Sequence, residues 1–212
     1  MSTAVMIIGE SGTGKTTSLR NMDGSKVFLI QAVAKPLPFR STNWKPWVCD
    51  DADGIVHALR SPKNTKDIIV IDDFQYIMAN EFMRRSMETG FQKFTDIAKH
   101  AWEILNTASA LAAHKRVYLL AHTDTDETGK VRAKTIGKLL NEKITIEGLL
   151  TIVLRTSVIN GQYIFSTKNS GSDTVKTPMD MFADEHIPND LAAVDAAIID
   201  YYQISKQEAK AA

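Results

Sequence analysis

An eight-residue segment near the start of the chain constrains the fold more than any other feature. It follows the apolar run from Ala4 to Ile8, which predicts a strand buried on both faces. It leads into a predicted helix over Lys15 to Asn21. A strand, a glycine-rich turn and a helix in succession are typical of an α/β protein. The segment fits the pattern G-x-x-x-x-G-K-[ST] as Gly9-Glu10-Ser11-Gly12-Thr13-Gly14-Lys15-Thr16.

The chemistry of this segment predicts a phosphate-binding loop. Its glycines allow the chain to wrap closely, so that successive backbone amides point at phosphate oxygens. The start of the following helix adds a partial positive charge. We expect Lys15 to reach the β- and γ-phosphates of a nucleotide and the Thr16 hydroxyl to bind Mg²⁺. The alternative is an ordinary glycine turn before a helix. The predicted nucleotide contacts are Gly9, Glu10, Ser11, Gly12, Thr13, Gly14, Lys15, Thr16 and Thr17.

A second buried strand, Ile68 to Ile71, ends in a pair of aspartates. Asp72 is the expected second anchor for Mg²⁺, and the alternative is a cap on the next element. Asp73 either orients or deprotonates an attacking water, or it caps that element. Gln75 is a weaker candidate for positioning the water.

A third buried strand, Val117 to Ala121, is followed by His122. Because the carboxyl ends of neighbouring parallel strands converge where ligands bind, His122 is a candidate sensor of the γ-phosphate. The alternative is a purely structural histidine at a strand end.

The remaining segments alternate between strand and helix signals. They predict an α/β fold with a mainly parallel sheet flanked by helices and with antiparallel strands added late. The predicted strands are Lys26 to Gln31, a short one near Trp47, Leu149 to Leu154, and Gln162 to Phe165 after a turn at Asn160-Gly161. Three further helices are predicted. One is capped by Asp51 or Asp53 and ends near Arg60, and the second follows an apolar stripe from Phe91 to Ala112. The third begins at Ile187 to Asp190.

The composition is that of an ordinary globular protein. The 212 residues include 25 Lys and Arg against 25 Asp and Glu, and 44% are hydrophobic, which argues against disorder and against a uniformly basic nucleic-acid binder. The single cysteine, Cys49, excludes an intrachain disulfide and a multi-cysteine metal site. The N-terminus lacks the features of a signal peptide, and no run approaches a membrane span. We therefore expect a cytoplasmic protein with no membrane partner.

The zero net charge is unevenly distributed. Residues 180–212 carry seven acidic and two basic side chains, which leaves residues 1–179 with a net charge of +5. We predict a core over residues 1–180 and an acidic helical segment over 181–212 that packs on or extends from it. The simple interpretation of this segment is a solvated acidic helix.

Several sequence segments of the chain resemble those of known ATPases. The loop GESGTGKTT, the strand IIVIDD, the strand end LLAH and the segment STKNSGS resemble the RecA-like P-loop NTPase core. A second set of segments is similar to compact AAA-type ATP-binding proteins of phages, the RecA-like recombination ATPases linked to single-strand annealing. These segments are KPLPF, IDDFQYIMANEFMRR, KTIGKLLNEKITIEG and NSGSDT. The resemblance covers about residues 4 to 202. It implies a RecA-like ATPase that uses ATP and Mg²⁺ and binds single-stranded DNA as a ring or filament, in the host cytoplasm if phage-encoded.

The resemblance also implies two DNA-facing loops. The first spans roughly Met78 to Phe94, and the second spans Thr123 to Lys138. A run of basic residues in the second suits a phosphate backbone and predicts salt-dependent binding, whereas the alternative is a solvated hairpin. A hypothesis that follows is that the acidic C-terminal segment competes with DNA for these loops. The predicted DNA contacts are Arg84, Arg85, Lys130, Arg132 and Lys134; Lys93 and Lys138 add to the positive charge.

Lys168 follows a predicted strand, where related RecA-like oligomers carry a basic residue that reaches the γ-phosphate of a neighbouring subunit. The resemblance therefore implies that Lys168 acts in trans and that active sites lie between subunits. The alternative is a surface lysine at a strand end.

One departure from the RecA-like pattern concerns the catalytic glutamate. It is expected at a strand end between the loop and the Asp72 strand, but the candidate ends at 31–34 and 48–50 contain none. Asp50 or Asp73 would have to substitute, or hydrolysis is slow and ATP acts as an assembly switch. A non-catalytic adaptor that loads replication proteins is therefore a second hypothesis, with a single-strand DNA-binding protein as one suggested partner. A small-molecule kinase is a third, which the absence of an arginine-bearing lid after Leu149 disfavours.

Overall fold

In a computed structural model, the chain is described over residues 1–205, with the backbone alone at Asn141. The described strands are β1 Thr3–Gly9, β2 Val27–Gln31, β3 Trp47–Val48, β4 Ile68–Asp72, β5 Arg116–Thr125, β6 Val131–Ala133, β7 Ile152–Ile159, β8 Gln162–Ser166 and β9 His186–Pro188. The α-helices are α1 Ala52–Arg60, α2 Gln75–Arg84, α3 Gln92–Ala110 and α4 Leu191–Tyr201. Short 3₁₀ helices cover Thr16–Asn21, Gly24–Lys26 and Ile146–Leu149, and a π-helix covers Leu139–Ile144.

The strands form one sheet in the order β3-β2-β4-β5-β1-β7-β8-β9, and β6 pairs with β5 outside this order. The strands from β3 to β7 in this order are parallel, whereas β8, β9 and β6 pair antiparallel. This confirms the predicted α/β architecture with late antiparallel strands. The turn between β7 and β8 uses Asn160 and Gly161 with φ of 52° and 78°, as this tight hairpin requires.

Both faces of the sheet are buried, which explains the unbroken apolar runs in its strands. Alternate residues of β1 point to opposite faces, so Met6 and Ile8 join one core and Val5 and Ile7 the other. Helices α1, α2 and α3 cover the first face. The 3₁₀ helix after β1 and helix α4 cover the second.

Helix α2 was missed by the sequence analysis, which treated residues from Met78 onward as a DNA-facing loop. Phe74, Ile77 and Met78 are buried at helical spacing against the sheet. The loop prediction was therefore wrong for residues 78–84, and also for residues 92–94, which belong to α3. The structure also adds β9, and it ends α3 before the last predicted member of its apolar stripe, while Phe91 before its start is 87% exposed.

The described part of the acidic C-terminal segment packs on the sheet through α4. Asp190 caps the helix by accepting from the amide of Ala192 at 2.9 Å. Asp195 is buried and accepts hydrogen bonds from the Arg116 guanidinium at 2.9 and 3.1 Å and from the Tyr118 hydroxyl. Residues 206–212 of the predicted segment lie outside the described residues. No helix in the described range is long and apolar enough to cross a membrane.

Candidate nucleotide-binding site

The sheet register brings the predicted site residues together at the carboxyl ends of the central strands. Gly9 at the end of β1 is level with His122 on β5, and Asp72 ends β4 level with Gln31 on β2. Strand β5 lies between β1 and β4. The carboxyl ends of these parallel strands therefore surround a common crevice, as the sequence predicted.

The loop after β1 has the conformation of an anion-binding turn. Gly12 and Gly14 adopt φ of 78° and 98°, a region that side chains with a Cβ rarely enter. Within the described residues, the amides of Gly12, Gly14 and Lys15 make no hydrogen bond. Unpaired amides in such a turn fit phosphate oxygens.

Lys15 folds back over this loop. Its ammonium donates to the carbonyls of Gly9 and Glu10, each at 2.8 Å, and the side chain is buried. Burial lowers the pKa of Lys15 to about 8, although the carboxylates of Asp73 and Asp72 oppose the shift. The buried cation is thus held beside the turn by weak neutral partners, where an anion would stabilise it.

Close packing explains why glycine occupies both ends of the loop. A Cβ on Gly9 would lie 1.9 Å from Thr156 Oγ1 on β7, and the Thr156 and Thr13 hydroxyls are hydrogen-bonded at 2.6 Å. A Cβ on Gly14 would lie 3.0 Å from the Tyr163 ring and 3.2 Å from the Asn189 amide. Sequence reasoning missed these neighbours because they lie more than 140 positions away along the chain.

Thr16 and Asp72, the two predicted magnesium anchors, are in direct contact. The Thr16 hydroxyl donates to the two Asp72 carboxylate oxygens at 3.0 and 3.1 Å. An aliphatic hydroxyl and a carboxylate are the oxygen ligands that Mg²⁺ takes beside nucleotide phosphates and water. In the part of the chain that the structure describes, no three His, Cys, Asp or Glu side chains form a metal cluster. The two residues therefore fit a magnesium ion whose other ligands come from phosphate and water.

Asp72 is buried in a way that disfavours its charged form. Asp72 is only 1% exposed. Its burial, the larger cause, and the negative charge of Asp73, the smaller one, together raise the pKa of Asp72 to about 6. A bound divalent cation would offset this cost.

We expect Asp72→Asn to stabilise the ligand-free protein above pH 6. The folded-state pKa of Asp72 is raised, so the stability that protonation contributes is fully present below the unfolded value of 3.8 and is lost as pH rises through about 6. The asparagine variant should therefore exceed the wild type by about 2–3 kcal/mol at pH 8 and by little at pH 4. Urea unfolding at both pH values measures the difference. The exposed Asp184→Asn is the control, and a pH-independent difference would contradict this account.

Asp73 is held in a strained, buried position beside Asp72. It adopts φ of 61°, and its side chain is 3% exposed. One carboxylate oxygen forms an ion pair with the Lys35 ammonium, and the other lies 3.6 Å from His122 Nε2. Burial lowers the pKa of Lys35, but the hydrogen bond and charge of Asp73 outweigh it and leave that pKa raised. Lys35 was not predicted, because it lies in the irregular segment after β2.

His122 is close to the loop and neutral at pH 7. Burial and then the positive charge of Lys15 lower its pKa below the usual 6.5. Its backbone amide donates to Gln75 Oε1 at 3.1 Å. Gln75 Nε2 is buried with no hydrogen-bond partner among the described residues. An unpartnered buried donor at the carboxyl ends of the strands suits an incoming oxygen ligand, as expected of a residue that positions water.

Lys168 lies away from this crevice. Because β8 runs antiparallel to β7, the start of β8 lies nearest the crevice and its end points away from it. Ser166, the last residue of β8, pairs with Arg155 on β7, and Arg155 in turn pairs with Ile8 on β1. Lys168 follows two residues further on and donates to the Ala183 carbonyl at 2.8 Å. The antiparallel direction thus takes Lys168 away from the site of its own chain, and any action in trans stays a prediction.

Arg84 and Arg85 are engaged in ion pairs at the end of α2. Arg84 contacts Asp50 at 2.7 Å. Arg85 contacts Glu81, Glu88 and Asp96 at 2.7–3.0 Å. Their guanidinium groups already have carboxylate partners, which would compete with DNA phosphates. Lys93 is buried and donates to the Glu88 carbonyl at 2.7 Å.

The basic segment after His122 is a hairpin of β5 and β6. Lys130 and Lys134 are exposed, whereas Arg132 is half-buried and lies 4.0 Å from Asp126. The amide of Lys134 donates to the His122 carbonyl at 2.7 Å, which ties the hairpin to the crevice. Sequence reasoning counted only the basic side of this hairpin; the facing strand and turn bring Asp124 and Asp126 opposite it.

The two proposed substitutes for a catalytic glutamate lie in different places. Asp50 follows the edge strand β3 and bonds to Asn80 and Arg84, each at 2.7 Å. Asp73 follows β4 and lies beside Asp72 in the crevice. Of the two, only Asp73 is placed to act on a ligand bound at the loop.

Comparison with known proteins does not identify the chain. No protein-family model matches it, and no curated protein matches it either. The function is therefore inferred from the site itself.

Proposed function

We propose that the chain is a Mg²⁺-dependent, RecA-like P-loop ATPase. The observation that carries the proposal is the pair formed by Thr16 and Asp72 beside the Lys15 loop. A hydroxyl and a carboxylate that meet next to a buried lysine and unpaired amides suit a nucleotide with its magnesium ion. The order of the strands brings these groups together at the position where α/β sheets bind ligands.

Each residue in the crevice has a distinct role in this proposal. Lys15 and the loop amides bind the phosphates. Thr16 and Asp72 would hold Mg²⁺, which when bound would withdraw negative charge from the phosphate oxygens. Asp73 orients the attacking water and accepts its proton as the water oxygen bonds to the γ-phosphorus and the bond to the leaving ADP oxygen breaks. His122, neutral at pH 7, and Gln75 contact the oxygens of the transferred group.

The same geometry supports slow hydrolysis. Asp73 is neutralised by Lys35 and held at positive φ, and neither β2 nor β3 ends in a glutamate. A non-catalytic or slow ATP-binding adaptor that loads replication proteins is the second candidate, and these observations favour it. The two candidates share nucleotide binding and differ in turnover.

Single-stranded DNA is the proposed macromolecular ligand, bound by an oligomer with nucleotide between subunits. The exposed Lys130 and Lys134 support this, since their hairpin is hydrogen-bonded to the His122 end of β5. Contact between DNA and this hairpin would be transmitted directly to the crevice. The ion pairs of Arg84 and Arg85 make α2 the weaker candidate for DNA contact.

The decisive experiment measures ATP turnover with and without single-stranded DNA at low salt. We expect DNA to raise turnover, and a non-hydrolysable ATP analogue to promote rings or filaments visible by electron microscopy. Lys130→Gln with Lys134→Gln should weaken DNA binding and reduce its dependence on salt. If ATP binds but no DNA binding is found at low salt, the recombination function is rejected and the adaptor is favoured.

A further inference from the structure

Lys35 reaches the crevice from a segment that has no regular secondary structure. It lies between β2 and β3, and its backbone carbonyl accepts one long hydrogen bond, at 3.4 Å, from Gln31 Nε2. Its ammonium contacts Asp73, yet the Lys35 side chain is 41% exposed whereas that of Asp73 is 3% exposed. A partially exposed lysine has a flexible stem, so its ammonium can reach more than one partner.

Four charged side chains in the crevice balance one another before any ligand binds. Lys15 and Lys35 face Asp72 and Asp73, and the four groups lie close enough to perturb one another electrostatically. A magnesium-bound nucleoside triphosphate adds net negative charge to this set. Lys35, the more exposed of the two cations, is then attracted both by Asp73 and by the phosphate that lies nearest to it.

We propose that Lys35 leaves Asp73 and binds the terminal phosphate of a nucleoside triphosphate, so that it selects triphosphates over diphosphates. This inference rests on the proposed function and extends it. The exchange has a second consequence, because it releases the buried Asp73 carboxylate beside the attacking water. A diphosphate lacks the group that draws Lys35 away, and Asp73 then stays paired.

Nucleotide affinities test this exchange directly. Calorimetric titration with Mg-ADP and with a magnesium-bound, non-hydrolysable ATP analogue gives both dissociation constants for each variant. We expect Lys35→Gln to weaken binding of the analogue at least about tenfold while changing ADP affinity less than about twofold. Lys35→Arg keeps the charge and should keep most of the preference. The control is Lys26→Gln, an exposed lysine paired with Asp23 at 3.6 Å.

A double variant separates phosphate binding from simple neutralisation of Asp73. Lys35→Gln with Asp73→Asn replaces the ion pair by a neutral amide pair, which protects folding if Lys35→Gln alone leaves Asp73 buried and unpaired. We expect the double variant still to lack the triphosphate preference. A restored preference would show that Lys35 only neutralises Asp73, and it would overturn the inference.

The possible failures can be distinguished. If the wild type binds neither nucleotide, the proposed function and this inference fall together. If the wild type binds both but Lys35→Gln weakens both equally or neither, the ATP site stands and the role of Lys35 is rejected.

Discussion

Replacing Lys15 by methionine is expected to reduce ATP turnover at least about 100-fold, the effect of removing a preorganised donor from a developing phosphate charge. The ligand-free protein should fold as well as the wild type or better. Because burial depresses the pKa of Lys15 to about 8, the stability that it contributes is present only above its unfolded value of 10.5 and is lost as pH falls through 8. At pH 7, removal of the charge therefore costs no electrostatic stability, and methionine retains the buried stem. Steady-state turnover and urea unfolding at pH 7 measure the two effects.

Lys115 provides a matched control. Its ammonium also donates to two backbone carbonyls, those of Asn64 at 2.9 Å and Lys66 at 2.7 Å, and burial also lowers its pKa. It directly precedes β5, so it lies at the amino ends of the strands and away from the candidate site. Lys115→Met should leave turnover within about twofold of the wild type. Equal losses of turnover in the two variants would show that Lys15 acts through the fold, and the proposed phosphate contact would be rejected.

Replacing Asp195 by alanine is expected to lower the free energy of unfolding by roughly 3–5 kcal/mol. Arg116 is buried and would keep its charge with no carboxylate partner, and the buried Tyr118 hydroxyl would lose its acceptor. Both residues lie on β5, so the loss would reach the strand that carries His122. Equilibrium urea unfolding of the ligand-free protein at pH 7 measures the change.

Two further variants define what this result means. Asp200→Ala removes an exposed carboxylate from the same helix and should change stability by less than about 0.5 kcal/mol. Arg116→Met with Asp195→Leu removes both charges and should recover the part of the loss that comes from the unpaired buried charge, while the Tyr118 hydroxyl stays without its acceptor. An Asp195→Ala variant within 1 kcal/mol of the wild type would show that water or another group can solvate Arg116.

The buried pair also changes the interpretation of the acidic C-terminal segment. The hypothesis that this segment competes with DNA needs acidic side chains that are available to a partner, and Asp190, Asp195 and Asp200 are three of its carboxylates. Asp195 is committed to Arg116, and Asp190 caps α4. Substitution of all three would therefore test stability before it tested competition for DNA. Of the three, Asp200 alone is exposed and available to a partner.

Local sequence was sufficient for the buried parallel strands β1, β2, β4 and β5 and for the core of the site, but it did not predict β6 and β9. Buried parallel strands require continuous apolar runs, so Ile68–Ile71 and Val117–Ala121 were recognisable without any knowledge of their neighbours. The glycine pattern specified the loop because few other residues adopt its backbone angles. Helix α2 was missed although Phe74, Ile77 and Met78 carried a helical pattern, since the resemblance had assigned that region to a loop.

What the sequence by itself determined is the chemistry of the loop, the end of each strand and the mainly parallel sheet. Only the tertiary structure decided which charges meet. Lys35 pairs with Asp73, Arg116 with Asp195 and Arg85 with three carboxylates, and none of these partnerships follows from spacing along the chain. The physical reason is that periodicity and turn chemistry act between near neighbours, whereas burial and charge pairing depend on packing between distant segments.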